Sequence, residues 1–191
     1  MATRDQAGAS GQTGTILRVV ISAEQIARRV DELAAGIGQC YQGRELVVLA
    51  VMTGALVFLA DLIRRLPMTM RLSLVSASSY SGATTTSNGI KSIGDVSDMI
   101  RGRDVLIIDD IIDSGHTLRA LIEQVRRRAP QSVRTCVLLR KLRPGADQPP
   151  ADFLGFEIAD EFVVGYGMDF DNLYRNLPDL NALHLAQPEG A

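Results

Sequence analysis

The chain has 191 residues, of which 46% are apolar, and its formal net charge is −2. This length suits one domain with a hydrophobic core, and the acidic balance argues against nucleic-acid binding as the main function, because proteins that bind phosphate backbones usually carry a basic face. No apolar run reaches the ~18 residues that a membrane span requires, and the first residues lack the apolar core of a signal peptide.

The N-terminal residues and the two cysteines also indicate how the chain is organised. Residues 1–15 are small and polar, which predicts a disordered tail ahead of a single domain over residues 16–191. Cys40 and Cys136 form neither a disulfide framework nor a metal-ligand spacing. Two free thiols are typical of a reducing compartment, so we expect a cytoplasmic protein.

The first predicted helix covers residues 22–35, where Ser22 and Gln25 have the spacing of a capping box and apolar residues recur at intervals of three and four. Residues 46–51 are continuously apolar, as in a strand buried on both faces. Residues 52–54 break this strand, and a second helix and a further strand follow.

The same order of buried strand, polar turn and helix recurs further along the chain. Residues 105–108 predict a strand, residues 109–117 a turn, and residues 132–139 another strand beyond the next helix. Strands that alternate with helices predict an α/β fold with a mostly parallel sheet flanked by helices. Ligands of such sheets bind beyond the carboxyl ends of the strands, where both turns lie.

Two segments do not fit this alternation. Residues 79–95 are rich in Gly, Ser and Thr and predict a long loop, which in a compact domain is typically a lid or a linker. Residues 152–170 are rich in aromatic and β-branched residues and predict short strands around a turn. We expect residues 141–180 to contribute a small hood to the domain, and residues 79–95 to form a mobile lid.

The turn after residues 105–108 combines an anion site with paired acids. Ser114, Gly115 and Thr117 precede or begin a helix whose free N–H groups can hold a phosphate. Asp109 and Asp110 would repel that phosphate, so we expect them to bind vicinal hydroxyls, with Mg²⁺ as a natural partner. A phosphate beside a diol describes a ribose 5-phosphate. The alternative is a surface turn whose aspartates cap a helix.

The stretch "VLIIDDIIDSGHTL" at residues 105–118 resembles the phosphoribosyl diphosphate signature of type I phosphoribosyltransferases, and "SSY", "EFVVGYGMDF" and "YRNLP" resemble their 6-oxopurine branch, the hypoxanthine-guanine phosphoribosyltransferases. The resemblance covers roughly residues 16–180. It implies the fold of that family, with hood and lid, and a Mg²⁺-dependent reaction of purine salvage. In that reaction N9 of hypoxanthine or guanine displaces diphosphate from 5-phosphoribosyl 1-diphosphate, giving IMP or GMP.

The resemblance also implies roles for individual residues. The catalytic residues are Asp113 as general base, with Ser79 and Tyr80 at the tip of the lid. The phosphoribosyl group is bound by Asp109, Asp110, Ser114, Gly115, His116 and Thr117. The diphosphate is bound by Met52, Thr53, Gly54 and Arg175. The purine is bound by Lys141, Phe162, Val163 and Asp169, and Mg²⁺ by Asp109, Asp110 and Asp169.

Two positions depart from the usual pattern of the family. Many relatives have Lys where this chain has Thr53, which removes a cation from the diphosphate loop, and many have Glu where it has Asp109. The family also implies a homodimer or homotetramer, with no nucleic-acid or membrane partner.

Three other functions are compatible with these residues. One is a phosphoribosyltransferase that prefers xanthine, because the sequence does not rank the three oxopurines. Another is a nucleotide-sensing regulator on the same fold that binds RNA, although such a protein needs a basic face. The third is a protein that binds sugar phosphates without turnover.

Overall fold

The computed structural model describes residues 5–7, 13–76 and 97–185. The predicted lid at residues 79–95, with Ser79 and Tyr80, lies outside these ranges. The strands are β1 Asp5–Ala7, β2 Thr13–Ile21, β3 Leu46–Met52, β4 Met70–Ser76, β5 Asp104–Ile112, β6 Ser132–Leu142, β7 Phe153–Ala159, β8 Val163–Val164 and β9 Leu180–Leu185. The helices are α1 Ala23–Cys40, α2 Leu56–Ile63, α3 Ser97–Ile100 and α4 His116–Arg126.

The main sheet has five parallel strands in the order β4-β3-β5-β6-β7, which confirms the predicted α/β fold. Its central strands β3 and β5 are buried because helices cover both faces. Leu46, Val48 and Ala50 belong to the core cluster that contains the apolar faces of α1 and α2. Val47 and Leu49 belong to the cluster on the other face, which contains that of α4.

Helix α1 confirms the predicted capping box and extends further than predicted. The Ser22 hydroxyl accepts from the Gln25 amide, and the Gln25 side chain accepts from the Ser22 amide. The helix continues to Cys40, so the predicted end at residue 35 is wrong. The apolar stripe continues through Ile37, which is fully buried, and its packing outweighs the low helix propensity of glycine.

The hood is a separate antiparallel sheet with the order β1-β2-β9-β8. Two expectations differ from this arrangement. Residues 153–159, predicted as part of the hood, form β7 at the edge of the main sheet, where Gly155 allows the strand to approach Leu138 closely. Residues 5–7 and 13–15, within the predicted tail, are strand residues. β7 pairs with β6, and residues 14 and 15 pair with β9 at the far end of the chain, which local composition does not reveal.

The described part of the chain contains no helix long and apolar enough to cross a membrane.

Candidate active site

A cavity of about 460 Å³ opens at the carboxyl ends of β3 and β5, the edge at which a ligand is expected. Residues 51–54 and 109–115 line it from the two strand ends, together with Thr117, Leu118, Asp169 and Arg175. The structure therefore brings the predicted sugar and diphosphate residues to one place. His116 is exposed and is not among the residues that line the cavity, while its Nδ1 lies 2.9 Å from the Ser114 hydroxyl.

The anion cradle is the start of α4. Gly115 precedes the helix with a φ of 82°, a left-handed conformation that strongly favours glycine, and no side chain caps the helix. A Cβ atom on Gly115 would lie 2.4 Å from Cδ of Pro149. The first N–H groups of α4 are therefore left available for an anion that approaches from the cavity.

Asp109 and Asp110 lie in β5, near the end of the strand that leads into the predicted phosphate loop. Strand pairing of β5 with β6 continues to Ile112, so the turn begins later than predicted and the two aspartates follow strand alternation. Asp109 is 4% exposed, and its Oδ1 accepts from the amide of Asp110 at 3.0 Å. Neither carboxylate forms an ion pair with a described residue.

Removal from water disfavours charge on this pair. Burial, followed by the neighbouring charge of Asp110, raises the pKa of Asp109 well above its usual range. Burial also raises the pKa of Asp110, although its hydrogen bonds and the nearby charge of Arg175 act in the opposite direction. Hydroxyl donors or a cation supplied by a ligand would therefore stabilise the charged form of the pair.

The loop at residues 52–54, which is predicted to bind diphosphate, lies directly against Asp110. The peptide bond between Met52 and Thr53 is cis. A Cβ atom on Gly54 would lie 1.8 Å from Oδ2 of Asp110, so a glycine is required there. The carbonyl oxygen of Gly54 in turn lies against Gly167, where an added Cβ would be 2.4 Å away. The loop at residues 52–54, the end of β5 and the turn at Gly167 thus meet beside the cavity.

Arg175 is the cation on the hood side of the cavity. Its Nη2 lies 2.8 Å from Oδ1 of Asp169, and its Nη1 donates to the carbonyl of Gly167 at 2.7 Å. The amide of Asn172 donates to the other oxygen of Asp169 at 2.8 Å. Both side chains are therefore held in place at the cavity wall.

A second cluster surrounds Asp113, at one end of the cavity. Lys141 is 7% exposed, and its Nζ donates to Oδ2 of Asp113 at 3.1 Å. Nη1 of Arg143 lies 2.5 Å from Oδ1 of the same carboxylate. Nε of Arg143 lies 2.9 Å from Asp160, and Arg143 holds the pKa of Asp160 below its usual value. Two cations therefore contact Asp113, whereas Asp109 and Asp110 have no ion-pair partner among the described residues, although the charge of Arg175 lies near Asp110.

The remaining predicted purine residues lie in the hood. Phe162 is 39% exposed, and its ring meets that of Phe170 edge-on with centroids 5.8 Å apart. Val163 is buried in β8, where it pairs with Ala182. Neither residue, nor Lys141, lines the cavity itself. In the described part of the chain, no group of three or more His, Cys, Asp or Glu side chains has the arrangement of a metal site.

Sequence reasoning missed Arg143, Asp160 and Gln148, all of which are near Asp113. Arg143 follows Lys141 by two residues, the spacing that places strand side chains on one face, so its position could have been found. Gln148 donates to the backbone carbonyls of Asp113 and Lys141. No local signal predicts these contacts, because the first of them joins residues 35 positions apart.

Comparisons with known proteins agree with this geometry. The family model described as the phosphoribosyl transferase domain matches residues 21–171. A hypoxanthine-guanine phosphoribosyltransferase from Bacillus subtilis is 42% identical, covering 88% of this chain and 93% of its own length. One from Mycobacterium avium is 38% identical, with coverages of 89% and 87%.

Solved structures give the same result in three dimensions. A hypoxanthine-guanine phosphoribosyltransferase from Bacillus anthracis has a TM-score of 0.80 at 38% identity, with 90% of this chain and 99% of that chain covered. A hypoxanthine phosphoribosyltransferase from Staphylococcus aureus has a TM-score of 0.81 at 36% identity, with coverages of 88% and 92%. The resemblance inferred from the motifs is confirmed, and the chain belongs to the type I phosphoribosyltransferase family, in its hypoxanthine-guanine branch.

Proposed function

We propose that this protein is a Mg²⁺-dependent hypoxanthine-guanine phosphoribosyltransferase of purine salvage. One observation carries the proposal: a single cavity joins an acidic pair, an uncapped helix start and a diphosphate loop, and at its end stands an aspartate paired with a buried lysine. The first three features suit 5-phosphoribosyl 1-diphosphate, and the last suits a 6-oxopurine. Relatives of this name match most of the chain.

The sugar substrate would use three parts of the cavity. The 5-phosphate binds at the start of α4, through backbone N–H groups and the hydroxyls of Ser114 and Thr117. Asp110, together with Asp109, accepts hydrogen bonds from the ribose hydroxyls. The diphosphate lies over residues 52–54 beside Arg175. Among the described residues that line the cavity, Arg175 is the one with a positive charge. Because Thr53 carries no charge, Arg175 bears more of the diphosphate binding than a loop with lysine would require.

The purine would bind at the Asp113 end. Lys141 donates to O6 of the base, exchanging its present partner Asp113 for the carbonyl oxygen, and Phe162 stacks on the ring. N9 then attacks C1 of the sugar as the bond from C1 to the diphosphate oxygen breaks, and the bonding electrons leave with diphosphate. The proton that the base loses passes to the carboxylate of Asp113. Closure of the predicted lid at residues 79–95 would exclude water from this step.

The acidic residues fit a magnesium ion. Mg²⁺ usually keeps several waters and is bound by one or two carboxylates plus substrate phosphates, so a closed cage of protein ligands is not required. Asp109, Asp110 and Asp169 all line one cavity. We propose that Asp109 and Asp110 hold one ion and that Asp169 holds a second. When bound, the metal would neutralise charge on the leaving diphosphate.

The test is product analysis with the five common nucleobases, 5-phosphoribosyl 1-diphosphate and Mg²⁺. We expect IMP and GMP to form, no product from adenine or the pyrimidines at comparable rates, and no turnover after chelation of the metal. The matched control is Asp113→Asn. Equal rates with adenine, or binding of substrate without turnover, would contradict the proposal. Filter binding of RNA in the same preparation tests the regulatory alternative.

A preference for xanthine is the second candidate. A solved structure named hypoxanthine-guanine-xanthine phosphoribosyltransferase has a TM-score of 0.75 and 32% identity to this chain. Xanthine differs from hypoxanthine at C2 and keeps the carbonyl that Lys141 would contact. The XMP rate in the same assay decides between the two.

The protein is further proposed to be a cytoplasmic homodimer or homotetramer. Leu72 and Leu74 on the edge strand β4 are 42% and 55% exposed, and Leu56 at the start of α2 is 48% exposed. Exposed leucines of this kind support burial of these surfaces in an assembly. Cys40 and Cys136 are both free, as a reducing compartment requires. Sedimentation at several protein concentrations measures the assembly, and a monomer at all of them would contradict it.

A further inference from the structure

Residues 147–150, which we call the brace, connect the two ends of the site. Pro149 is buried against Gly115 at the start of the phosphate loop. Nη2 of Arg119, one turn into α4, donates to the carbonyl of Asp147 at 2.6 Å. These contacts attach the brace to the phosphate end of the site.

Gln148 carries the brace to the purine end. Its Nε2 donates to the carbonyl oxygen of Asp113 at 2.5 Å and to that of Lys141 at 3.0 Å. A side-chain amide nitrogen has two hydrogens, so it can serve both acceptors at once. The two residues whose backbones it joins are also those whose side chains meet at 3.1 Å. One side chain thus links the end of β6 to the loop that follows β5.

The amide of Gln148 comes from a rigid segment. Pro149 and Pro150 follow it directly, and a residue before proline is restricted to extended conformations. The proline rings fix φ at the next two positions. The backbone of Gln148 is therefore held in place, which makes it an effective support from which the side chain reaches its two acceptors.

We propose that Gln148 is a positioning residue, one that sets the separation of Asp113 and Lys141; this inference rests on the proposed transferase function. The reaction needs the proton acceptor and the O6 donor in register with one purine ring. A misplacement of about 1 Å can cost on the order of 10²-fold in rate, even though every reacting group is still present. Gln148 is not among the residues that line the cavity, so it would act through the backbones it joins.

The variant Gln148→Leu removes both donors at nearly constant size. We expect kcat/KM for hypoxanthine to fall by ~10- to 100-fold, while KM for 5-phosphoribosyl 1-diphosphate stays within about twofold, because the sugar residues are not attached to Gln148. The preference for hypoxanthine over adenine should fall by about 10-fold or more, because the ammonium group of Lys141 is no longer placed to donate a well-aligned hydrogen bond to O6. The control is Gln131→Leu, the same substitution at an exposed glutamine ahead of β6, which should leave all three quantities unchanged.

The ratio of two substrates does not depend on how much of the enzyme is folded, so a purely structural effect leaves it constant. Gln148→Glu serves as a second variant, because it keeps the shape and replaces both donors by acceptors. An unchanged ratio in whichever of the two variants is folded would overturn the proposal. An equal rise in both Michaelis constants would overturn it as well.

A double-variant cycle with Lys141→Gln tests the route of the effect. If Gln148 acts through the position of Lys141, adding Gln148→Leu to Lys141→Gln should not change the remaining preference for hypoxanthine. Independent, multiplying losses would overturn this route. The wild-type protein run alongside separates the two claims: no IMP from wild type removes the proposed function, whereas wild-type turnover with unaffected Gln148 variants removes only the positioning role.

Discussion

The acids on either side of Ile111 have the same chemistry and opposite surroundings. Asp109 and Asp110 are neighbours near the end of β5 and have no ion-pair partner among the described residues. Asp113, three residues later, is contacted by Lys141 and Arg143. Burial and mutual repulsion raise the pKa of Asp109, whereas Asp113 is half-exposed at the cavity end.

This difference explains how one short stretch can perform two tasks. A buried pair that has no ion-pair partner among the described residues gains stability when a ligand supplies hydroxyl donors or a metal ion, so it suits the binding of both. The proposed exchange of Lys141 from Asp113 to O6 of the base would take one of the two cations away from Asp113, which suits this carboxylate to accept a proton during the reaction. Variants at Asp113, Asp110 and Asp109 separate a binding role for the pair from a chemical role for Asp113. A variant at Lys141 tests the cation that contacts Asp113.

The largest effect is expected at Asp113. Replacement by Asn removes the proton acceptor and keeps the shape, so kcat should fall by ~10²–10⁴ while substrate Michaelis constants change much less. Single-turnover formation of IMP measures the step. If Asp113→Asn keeps more than about a third of the wild-type kcat when chemistry limits turnover, a loss far below the range for such catalysis, Asp113 is not the base.

The next largest effect concerns the choice of base. Lys141 carries donors only, so it favours a carbonyl at C6 over the amino group of adenine, and wild type should prefer hypoxanthine by at least ~10³ in kcat/KM. Lys141→Gln should reduce that ratio, mostly by slowing hypoxanthine, because an amide can present either a donor or an acceptor.

Two outcomes of that experiment lead to different conclusions. Good use of adenine by wild type would remove the 6-oxopurine assignment. A large ratio that survives Lys141→Gln would leave the assignment intact and show that another residue reads C6. Arg101→Gln, on the exposed turn after α3, serves as a charge-matched control.

Asp110 should affect binding of the sugar instead. Losing a hydrogen bond to a charged group costs about 1.5–3 kcal/mol, so Asp110→Asn should raise KM for 5-phosphoribosyl 1-diphosphate by ~10- to 100-fold. The purine constant measured at saturating sugar substrate should change little. An effect confined to the purine constant would erase the distinction between the acidic pair and Asp113.

The smallest effect is on stability and concerns Asp109. Because its folded-state pKa lies above the unfolded value, the folded protein binds the proton more tightly, and stability falls as pH rises from the unfolded pKa towards the folded one. Asp109→Asn removes this loss, so it should raise Tm above that pH window, by roughly 2–4 °C for each kcal/mol relieved. At low pH the two proteins should converge. A lower Tm for the variant at pH 8 would contradict the burial argument.

Much of the fold and of the cavity follows from short stretches of the chain. Two runs of apolar residues end in polar turns, and parallel strands with crossover helices bring both turns to one edge, as the cavity between β3 and β5 confirms. The capping box of α1 was equally predictable, because its partners are three residues apart. The family was recognisable from motifs alone.

Contacts between residues far apart in the sequence became known only from the tertiary structure. The sequence by itself determined the α/β alternation, the acidic pair and the phosphate loop, because strand period, helix capping and turn chemistry act between near neighbours. Only the folded molecule decided that β7 joins the main sheet, that Asp109 is buried while Asp113 is balanced by Lys141 and Arg143, and that Gln148 spans their backbones. These features depend on packing and electrostatics between segments far apart in the chain, which no local pattern encodes.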